Sequence, residues 1–381
     1  MMEIMFVAAE ASSSLFALRL MEFWKKQKRD YHFFGVGSPE MEALGFERLG
    51  KSEEMAVVGV SEIIDQYAHL KEVFNRLVAE AARRRPKLVV VMDYPEFNLM
   101  LSKRLHAMGI PVVYYVSPQV WAWRKGRVEQ IKKYCRKVLL LFPFEREFYA
   151  SKNVPFEFVG HPVLDELNDK YFTAEYRRSH RARCGVQENE IVIGLMPGSR
   201  RGEIKQHLQM QLEIARRLCL KYSNIRILLM VAPTRTKEEL QDQLGDLKFP
   251  LMMQKDEPLE MIHLADFILA ASGTATLQVA LLEKPMVIMY KMKWLTGIVA
   301  KVLVRGVKFF GLPNLIAGRE IVPERWQGGA NVEDLFQLMC RYIDDPIYAQ
   351  KVRDDLADLK KHLGDKGATA RVAASLEEYL Q

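Results

Sequence analysis

The stretch LVVVMDYPEFN at positions 88–98 decides the fold class of this chain. Its first five residues are apolar on both faces of an extended strand, which is typical of a buried parallel strand. Pro95 is expected to keep the backbone extended before a helical pattern begins at Glu96. A buried strand that leads directly into a helix is part of a βα unit, so the stretch predicts an α/β protein.

Outward from this stretch, apolar runs alternate with helical patterns, and a charged, polar segment at 163–190 separates two such series. The pattern predicts two Rossmann-like, doubly wound domains facing a cleft. We expect an N-terminal domain at 1–165, a C-terminal domain at 166–345, and helices at 346–381 that pack back on the N-terminal domain. The predicted strands are 3–9, 32–37, 88–93, 111–117, 137–142 and 156–160 in the first series, and 191–199, 225–231, 251–254, 266–270 and 285–290 in the second.

The composition is that of a globular protein, with 49% hydrophobic and 27% charged residues among 381. The four cysteines form no C-x-x-C pair, which fits a reducing cytoplasm and argues against a zinc site or a disulfide framework. The N-terminus lacks the basic region of a signal peptide, and there is no run of about 18 uncharged apolar residues that would predict a spanning helix. The net charge of +7 favours an anionic partner: nucleic acid, an anionic membrane or a phosphorylated substrate.

Residues 45–52, GFERLGKS, fit the phosphate-loop pattern G-x-x-x-x-G-K-[ST]. That loop needs a strand before it, but residues 38–44 are predicted to form a short helix. The variable positions are bulky, and Glu47 would bring a negative charge to an anion site. We therefore interpret the match as accidental and expect Lys51 to be dispensable for nucleotide binding.

Two turns in the second series are suited to anions. The predicted strand at 266–270 runs into Ser272-Gly273-Thr274, where Ser272 is the predicted N-cap of a helix and Gly273 lets a ligand approach the backbone. A second Gly-Ser turn ends at Arg200, whose guanidinium can bind a phosphate through two nitrogens. Two such turns in one domain indicate a diphosphate ligand, although each is also compatible with an ordinary capped helix.

Asp93 is the candidate general base because it follows the strand at 88–92, where catalytic groups of parallel sheets collect. The alternative is that it caps the helix after Pro95, a role worth about 1 kcal/mol. The chain has no D-x-D pair and no H-x-x-x-H or H-E-x-x-H pattern, and GVGSPE at 35–40 lacks the third glycine of a dinucleotide fingerprint. We expect neither a metal nor a cofactor.

Six motifs are distributed along the chain: D-x-P-x-F-N at 93–98, VSPQVWAWR at 116–124, GHP at 160–162, PGSR at 197–200, SGTATL at 272–277 and LPNLIAGRE at 312–320. By these motifs the sequence resembles the lipid-A-disaccharide synthases, inverting glycosyltransferases of the GT-B fold, over nearly its whole length. The resemblance implies transfer of the sugar of UDP-2,3-diacylglucosamine onto 2,3-diacylglucosamine 1-phosphate, giving a β-1,6-linked disaccharide 1-phosphate and UDP.

The resemblance also implies roles for single residues. Asp93 takes the position of the family's general base, with Glu10 as a second carboxylate, and Asn314 that of a residue needed for activity or nucleotide binding. Ser12 belongs to the loop expected beside the acceptor. The residues implied for UDP and its phosphates are Ser199, Arg200, Ser272, Gly273, Thr274 and Gln278.

Two departures from the family pattern stand out. The first loop, usually Gly-Glu-x-Ser-Gly-Asp, is Ala9-Glu10-Ala11-Ser12-Ser13-Ser14 here, and we expect its added bulk to affect acceptor fit. Gln278 stands where the family more often has glutamate. A glutamine carbonyl accepts a hydrogen bond from ribose without the strength of a charged acceptor, so we expect weaker UDP binding.

Acylated substrates imply contact with a membrane, and two segments suit it. In 293–310, Lys301, Arg305 and Lys308 share one face of a predicted helix, opposite an apolar face. The predicted helix 62–78 carries an apolar stripe. For each, the alternative is a helix that faces the core. We expect a cytoplasmic protein peripherally associated with the anionic inner membrane, and the oligomeric state stays open. The apolar stripe of the predicted helix 62–78 begins with Ile63, Ile64 and Tyr67.

Two other functions compete. The fold alone does not fix the reaction, so a UDP-N-acetylglucosamine 2-epimerase or another UDP-sugar enzyme of the GT-B fold is the alternative. A basic protein that binds membranes or nucleic acid is the non-enzymatic one. Its only nucleic-acid signal is WAWRKGR at 121–127, which the family motif already explains, so we expect no nucleic-acid partner.

Overall fold

The computed structural model describes residues 2–55, 62–118, 120, 126–233, 235–245, 247–255, 257–291 and 308–381, with side chains for all of these except 11 and 62–67. The chain divides into two compact units. The first comprises residues 1–166 and 363–381, and the second comprises residues 167–362. Each is an α/β unit built on one parallel sheet.

The sheet of the first unit has seven strands in the described residues, all paired in parallel, in the order β3-β2-β1-β4-β5-β6-β7. The chain runs outward from β1 to β3 and then returns to the other side of β1. This is the strand order of a doubly wound fold. The strands are β1 Met2–Ala8, β2 Tyr31–Gly37, β3 Glu47–Lys51, β4 Leu88–Met92, β5 Val112–Tyr115, β6 Lys137–Leu140 and β7 Phe156–Phe158.

Helices cover both faces of this sheet, which is why β4 is apolar at every position. Val89 and Val91 point into a core with α4 and α5, whereas Leu88, Val90 and Met92 point into a second core with α1 and α17. The helices of this unit are α1 Ala11–Lys26, α2 Pro39–Ala43, α3 Ser52–Met55, α4 Glu62–Arg84, α5 Pro95–Ala107, α6 Arg127–Tyr134, α7 Glu145–Ser151, α8 Val163–Glu166 and α17 Ala368–Glu377.

The last helix, α17, is fastened to the first unit by a carboxylate. Asp165 accepts hydrogen bonds from the backbone amides of Gly367, Ala368 and Thr369, which are the unpaired donors at the start of α17. Arg371 adds a bond to the carbonyl of Val159 at 2.8 Å. The C-terminal segment is therefore part of the first unit by specific contacts as well as by burial.

The second unit repeats the design with six parallel strands among its described residues, in the order β10-β9-β8-β11-β12-β13. Its strands are β8 Ile191–Met196, β9 Ile225–Met230, β10 Leu251–Gln254, β11 Phe267–Ala271, β12 Met286–Tyr290 and β13 Glu324–Trp326. Its helices are α9 Ala174–Arg183, α10 Arg201–Lys221, α11 Lys237–Leu244, α12 Pro258–Leu264, α13 Ala275–Leu281, α14 Leu312–Ala317, α15 Val332–Asp344 and α16 Pro346–Leu359.

The group of helices expected at 346–381 is divided between the units. α16 packs against α13, α14 and α15 and so belongs to the second unit, whereas α17 packs against α1 in the first. Among the helices of the described residues, none is both long and apolar enough to cross a membrane.

All eleven predicted strands are found, but the sequence prediction missed β3 and β13. Both are edge strands, and their partly exposed, polar residues hide the alternation that identifies a buried strand. The accidental phosphate-loop match is β3 itself: Glu47–Lys51 pairs with β2, and the Lys51 ammonium forms an ion pair with Glu54 at 2.7 Å. A backbone engaged in a sheet ladder is not a loop that can surround a phosphate.

Candidate active site

In each sheet the strand order reverses at one point, beside which ligands of doubly wound folds bind. In the first unit the reversal lies between β1 and β4, where Ala8 pairs with Met92. In the second unit it lies between β8 and β11, where Met196 pairs with Ala270. The loops that leave these strands are the candidate functional loops of each unit. They carry Glu10, Asp93, Arg200 and Ser272.

Asp93 and Tyr94, which follow β4, both have left-handed backbone conformations, with φ of 50° and 44°. Such a conformation costs a residue with a side chain about 1–2 kcal/mol. Other contacts hold the turn in place: the carbonyl of Asp93 accepts hydrogen bonds from Tyr114 Oη at 2.6 Å and from Asn98 Nδ2 at 2.7 Å. The Asp93 amide donates to the carbonyl of Val116 at 3.2 Å. The point from which the Asp93 side chain leaves the turn is thus fixed, at a cost in strain typical of functional residues.

The alternative role of Asp93, as the N-cap of the following helix, does not match the structure. Helix α5 begins at Pro95, and its N-cap position is occupied by Tyr94, whose side chain makes no capping hydrogen bond. Asn98 is buried and donates to the carbonyls of both Met92 and Asp93. The turn is therefore held by Asn98 and by the sheet, and the N-cap position of α5 belongs to Tyr94.

The altered first loop is closed by serine hydroxyls. Ser13 Oγ accepts from the amide of Glu10 at 3.0 Å, and Ser14 Oγ donates to the carbonyl of Ala8 at 3.0 Å. Both serines are buried, whereas Ser12 is half-buried. The serines that replace glycine and aspartate of the family pattern thus bond within the loop itself, turned away from solvent.

Glu10 lies close to the turn that carries Asp93. It occupies the N-cap position of α1, two residues beyond the end of β1. Burial raises the pKa of the Tyr94 phenol, and the negative charge of Glu10 raises it further. Two carboxylates, on the loops after neighbouring strands, therefore belong to one edge of the first sheet.

In the second unit, the Pro197–Arg200 turn after β8 is filled by a side chain of the same chain. The amides of Ser199 and Arg200 donate to Glu203 Oε2 at 3.2 and 3.3 Å, and Arg200 Nη1 lies 3.7 Å from Glu203 Oε1. Gly198, with φ of 120°, has no room for a Cβ, which would lie 2.7 Å from Glu203. This turn therefore offers a ligand its guanidinium, 43% exposed, whereas the amides of Ser199 and Arg200 already bond to Glu203.

The Ser272–Thr274 turn after β11 has the opposite character. The predicted N-cap, Ser272, is wrong: the N-cap position is Thr274, and the Ser272 amide extends the sheet by donating to the carbonyl of Met289 at 2.9 Å. Within the described residues, no acceptor bonds the amides of Gly273 and Thr274. A Cβ on the exposed Gly273 would contact nothing within 4 Å. Two backbone donors are thus open to a ligand, and Gln278 lies half-buried on α13, the helix that follows.

Asn314, implied as a catalytic residue by the resemblance, lies in the interior. Its Oδ1 accepts from the amides of Ile321 and Val322, and its Nδ2 donates to the carbonyl of Val322 and to Glu324 Oε2. These four bonds use the hydrogen-bonding capacity of the side-chain amide, so no side-chain group of Asn314 remains for a substrate. Glu324 also accepts from the amide of Gly311 at 2.9 Å. Asn314 therefore shapes the loop around α14 from within.

The membrane-facing predictions are only partly within the described residues. Lys308 is exposed, whereas Lys301 and Arg305 lie outside the described residues, as do the side chains of Ile63, Ile64 and Tyr67. Further along α4, Val73, Leu77 and Ala81 are buried in the core of the first unit, with Leu70 and Phe74 packed against it. That part of the helix has the core-facing orientation that the sequence left as an alternative.

Sequence reasoning missed three polar residues that hold the loops of the second unit: Glu203, His207 and Gln211. Two spacings could have found them: all three stand four residues apart on α10, and Glu203 stands three residues after the N-cap Arg200, as in a capping box. Sequence reasoning also assigned no role to the GHP motif at 160–162. There His161 is buried, accepts from the amide of Val163 at 3.2 Å, and has its pKa lowered to about 3 by burial. His161 is thus a neutral residue of the interior.

A model of the family described as lipid-A-disaccharide synthetase matches residues 4–375. A lipid-A-disaccharide synthase from Geobacter sulfurreducens is 38% identical over 377 residues, 99% of this chain and 97% of the relative. One from Myxococcus xanthus is 34% identical over 378 residues, 99% of this chain and 97% of the relative.

Solved structures resemble the fold at much lower identity. A UDP-GlcNAc 2-epimerase from Neisseria meningitidis bound to UDP-GlcNAc has a TM-score of 0.66 at 13% identity, covering 99% of this chain and 100% of the epimerase. The calicheamicin glycosyltransferase CalG4 has a TM-score of 0.61 at 13% identity, covering 100% of this chain and 98% of CalG4. At such identities the structures establish the fold alone, which is GT-B. The match to the family model and the identity to its relatives go further: this chain belongs to the lipid-A-disaccharide synthetase family of glycosyltransferases.

Proposed function

We propose that this chain transfers the sugar of UDP-2,3-diacylglucosamine onto the 6-hydroxyl of 2,3-diacylglucosamine 1-phosphate, forming a β-1,6-linked disaccharide 1-phosphate and UDP. Membership of the family supports the reaction. The observation that carries the mechanism is the strained and hydrogen-bonded turn of Asp93 at the switch point of the first sheet. A carboxylate carried by a fixed turn at such a point is suited to general-base catalysis.

In this proposal Asp93 takes the proton of the acceptor hydroxyl while that oxygen attacks the anomeric carbon of the donor. The bond from the anomeric carbon to the UDP oxygen breaks, and attack from the opposite side inverts the configuration. Glu10 lies beside the same turn and orients the acceptor or balances the charge there. Ser12 lies in the same loop as Glu10. The proton ends on Asp93 and the electron pair on UDP.

The second unit would stabilise the departing UDP. The diphosphate of the leaving UDP gathers negative charge. The groups suited to bind this diphosphate are the exposed guanidinium of Arg200 and the open amides of Gly273 and Thr274. Gln278 is assigned to the ribose hydroxyls, and the hydroxyls of Ser199 and Ser272 to the phosphates. In this proposal cationic and dipolar groups of the protein neutralise the leaving group, and no metal takes part.

The acylated substrates require contact with a membrane surface, and we assign this contact to a peripheral, electrostatic association with the cytoplasmic face of the inner membrane. The net charge of +7 and the exposed Lys308 support it. Sedimentation with vesicles containing anionic lipid tests it. The protein should sediment at low salt and be released at high salt, whereas salt-independent sedimentation would contradict an electrostatic association.

The decisive experiment is incubation of the purified chain with both substrates. Mass spectrometry should detect the disaccharide 1-phosphate, and UDP should appear in equal amount. The control omits the acceptor: a transferase then leaves the nucleotide sugar intact, whereas an epimerase of the same fold would still act on its own UDP-sugar. A chelator in a parallel reaction should leave the transfer rate unchanged.

A further inference from the structure

Helix α10 carries a polar stripe on its buried face. Glu203, His207 and Gln211 follow one another at a spacing of four residues, so their side chains lie in one row along the helix. His207 and Gln211 are fully buried, and the side chain of Glu203 is 17% exposed. Buried polar groups cost free energy unless each finds a partner, so a row of three requires an explanation.

Each member of the row bonds to the carboxyl end of a strand. Glu203 accepts from the amides of the turn after β8. His207 Nδ1 lies 3.0 Å from the carbonyl of Pro197 in the same turn, and its Nε2 lies 3.0 Å from the amide of Lys291, directly after β12. Gln211 Nε2 donates to the carbonyls of Met196 on β8 and Leu269 on β11, both at 3.2 Å.

The partners of His207 define its tautomer. The amide of Lys291 can only donate, so Nε2 must be the acceptor and the proton must reside on Nδ1, which donates to the carbonyl of Pro197. Burial lowers the pKa of His207, in keeping with a neutral ring. A neutral imidazole is the one ring that can serve a carbonyl and an amide at the same time.

The bridge made by His207 spans two strands that do not touch. β8 and β12 are separated by β11, so no backbone ladder connects the Arg200 turn to the end of β12. β12 in turn holds the other functional turn, because the carbonyl of Met289 accepts from the amide of Ser272. His207 thus joins the two turns by side-chain and backbone hydrogen bonds within the second unit.

From this geometry we infer that His207, supported by Glu203 and Gln211, is a positioning residue that sets the Arg200 turn relative to the Ser272–Thr274 turn for binding one diphosphate. It touches no substrate and acts through the two turns. The identity of the ligand as UDP rests on the proposed function, whereas the coupling of the turns rests on the hydrogen bonds alone.

The test compares His207→Phe with His207→Gln in the full chain. Phenylalanine keeps a ring but removes both hydrogen bonds, whereas glutamine retains one donor and one acceptor. UDP affinity, measured by calorimetry, should fall at least tenfold in His207→Phe and stay within threefold in His207→Gln. Lys205→Gln, an exposed change on the same helix, should leave affinity within twofold.

Hydrogen exchange of the ligand-free protein gives a second readout that does not depend on the reaction. In His207→Phe the peptides containing Ser199–Arg200 and Lys291 should exchange faster together, and His207→Gln should restore protection of both. Failure of the wild type to form the disaccharide would reject the proposed function while this exchange comparison still decides the role of His207. The inference is overturned if both variants lose the same thermal stability with UDP affinity within twofold of wild type, or if exchange rises in only one of the two peptides.

Discussion

The two Gly-containing turns at the switch point of the second sheet look alike in sequence and differ in what they offer a ligand. In the turn after β8, Glu203 stands at the third position of the helix and reaches back to the turn amides. In the turn after β11 the third helical position is Leu277, which is buried and cannot accept a hydrogen bond. Of these two turns, the one followed by an acidic residue at the third helical position has its amides occupied, and the other has them open.

The difference divides the tasks between the turns. The first supplies a charged side chain, Arg200, held at its base by the Glu203 bonds. The second supplies backbone donors at Gly273 and Thr274. In the proposed mechanism proton transfer is assigned to the first unit, where Asp93 lies.

The largest expected effect tests that separation. Asp93→Asn should lower kcat by about 10²–10⁴, the usual contribution of a positioned base, because the amide cannot take a proton. Asparagine tolerates a left-handed backbone better than most residues, so the turn and the thermal midpoint should be kept. UDP affinity, which we assign to the second unit, should not change. Activity within tenfold of wild type would move the search for the base to Glu10.

The next largest effect is expected when the guanidinium of the turn after β8 is removed. Arg200→Ala should weaken UDP binding about 10- to 100-fold in calorimetry, since hydrogen bonds to charged groups contribute about 1.5–3 kcal/mol. The neighbouring Arg201 is a matched control, because its side chain is 80% exposed and pairs with Glu239. Arg201→Ala should bind UDP like wild type. Equal losses in the two variants would indicate a general effect of charge.

A smaller effect separates the open turn from the filled one by their glycines. Gly273→Ala should leave thermal stability unchanged, because a Cβ there contacts nothing, but should weaken UDP binding about fivefold by obstructing a backbone hydrogen bond worth about 1 kcal/mol. Gly198→Ala should instead lower the stability of the fold. Its left-handed φ and the contact with Glu203 should cost at least about 1–2 kcal/mol in a denaturation experiment. Loss of stability in Gly273→Ala would contradict the open geometry.

The smallest effect is expected at the phosphate-loop match of residues 45–52, which provides no open turn. Lys51→Ala should leave UDP affinity and transfer rate within about twofold, because Lys51 lies on β3 and its ammonium pairs with Glu54 at the surface. The comparison fails if this change abolishes nucleotide binding in a folded protein.

The sequence predicted more of the fold than of the candidate site. Strands such as β4 and β8 were predictable because burial on both faces demands an unbroken apolar run. The position of Asp93 after β4 followed from the same pattern. The left-handed turn did not, since it depends on Tyr114 and Asn98, which bond to the Asp93 carbonyl from another strand and from the next helix.

The interior position of Asn314 was beyond local patterns, because it depends on a carbonyl and a carboxylate that the folded loop brings into reach. The closed state of the Arg200 turn, in contrast, follows from Glu203 three residues further on, a local capping pattern that sequence reasoning did not use. His207 escaped notice because its partners, Pro197 and Lys291, are 94 positions apart in the chain, and no helical or strand periodicity connects them.

The clasp between Asp165 and the start of α17 has a consequence for how the protein is made. Val372, Ala373 and Leu376 fill one core of the first unit, although residues 167–362 separate them from the rest of it. During synthesis the second unit is therefore complete before the first can close its core, and residues 1–166 must wait with an apolar face uncovered. The unit that begins first at the ribosome is the one that finishes last.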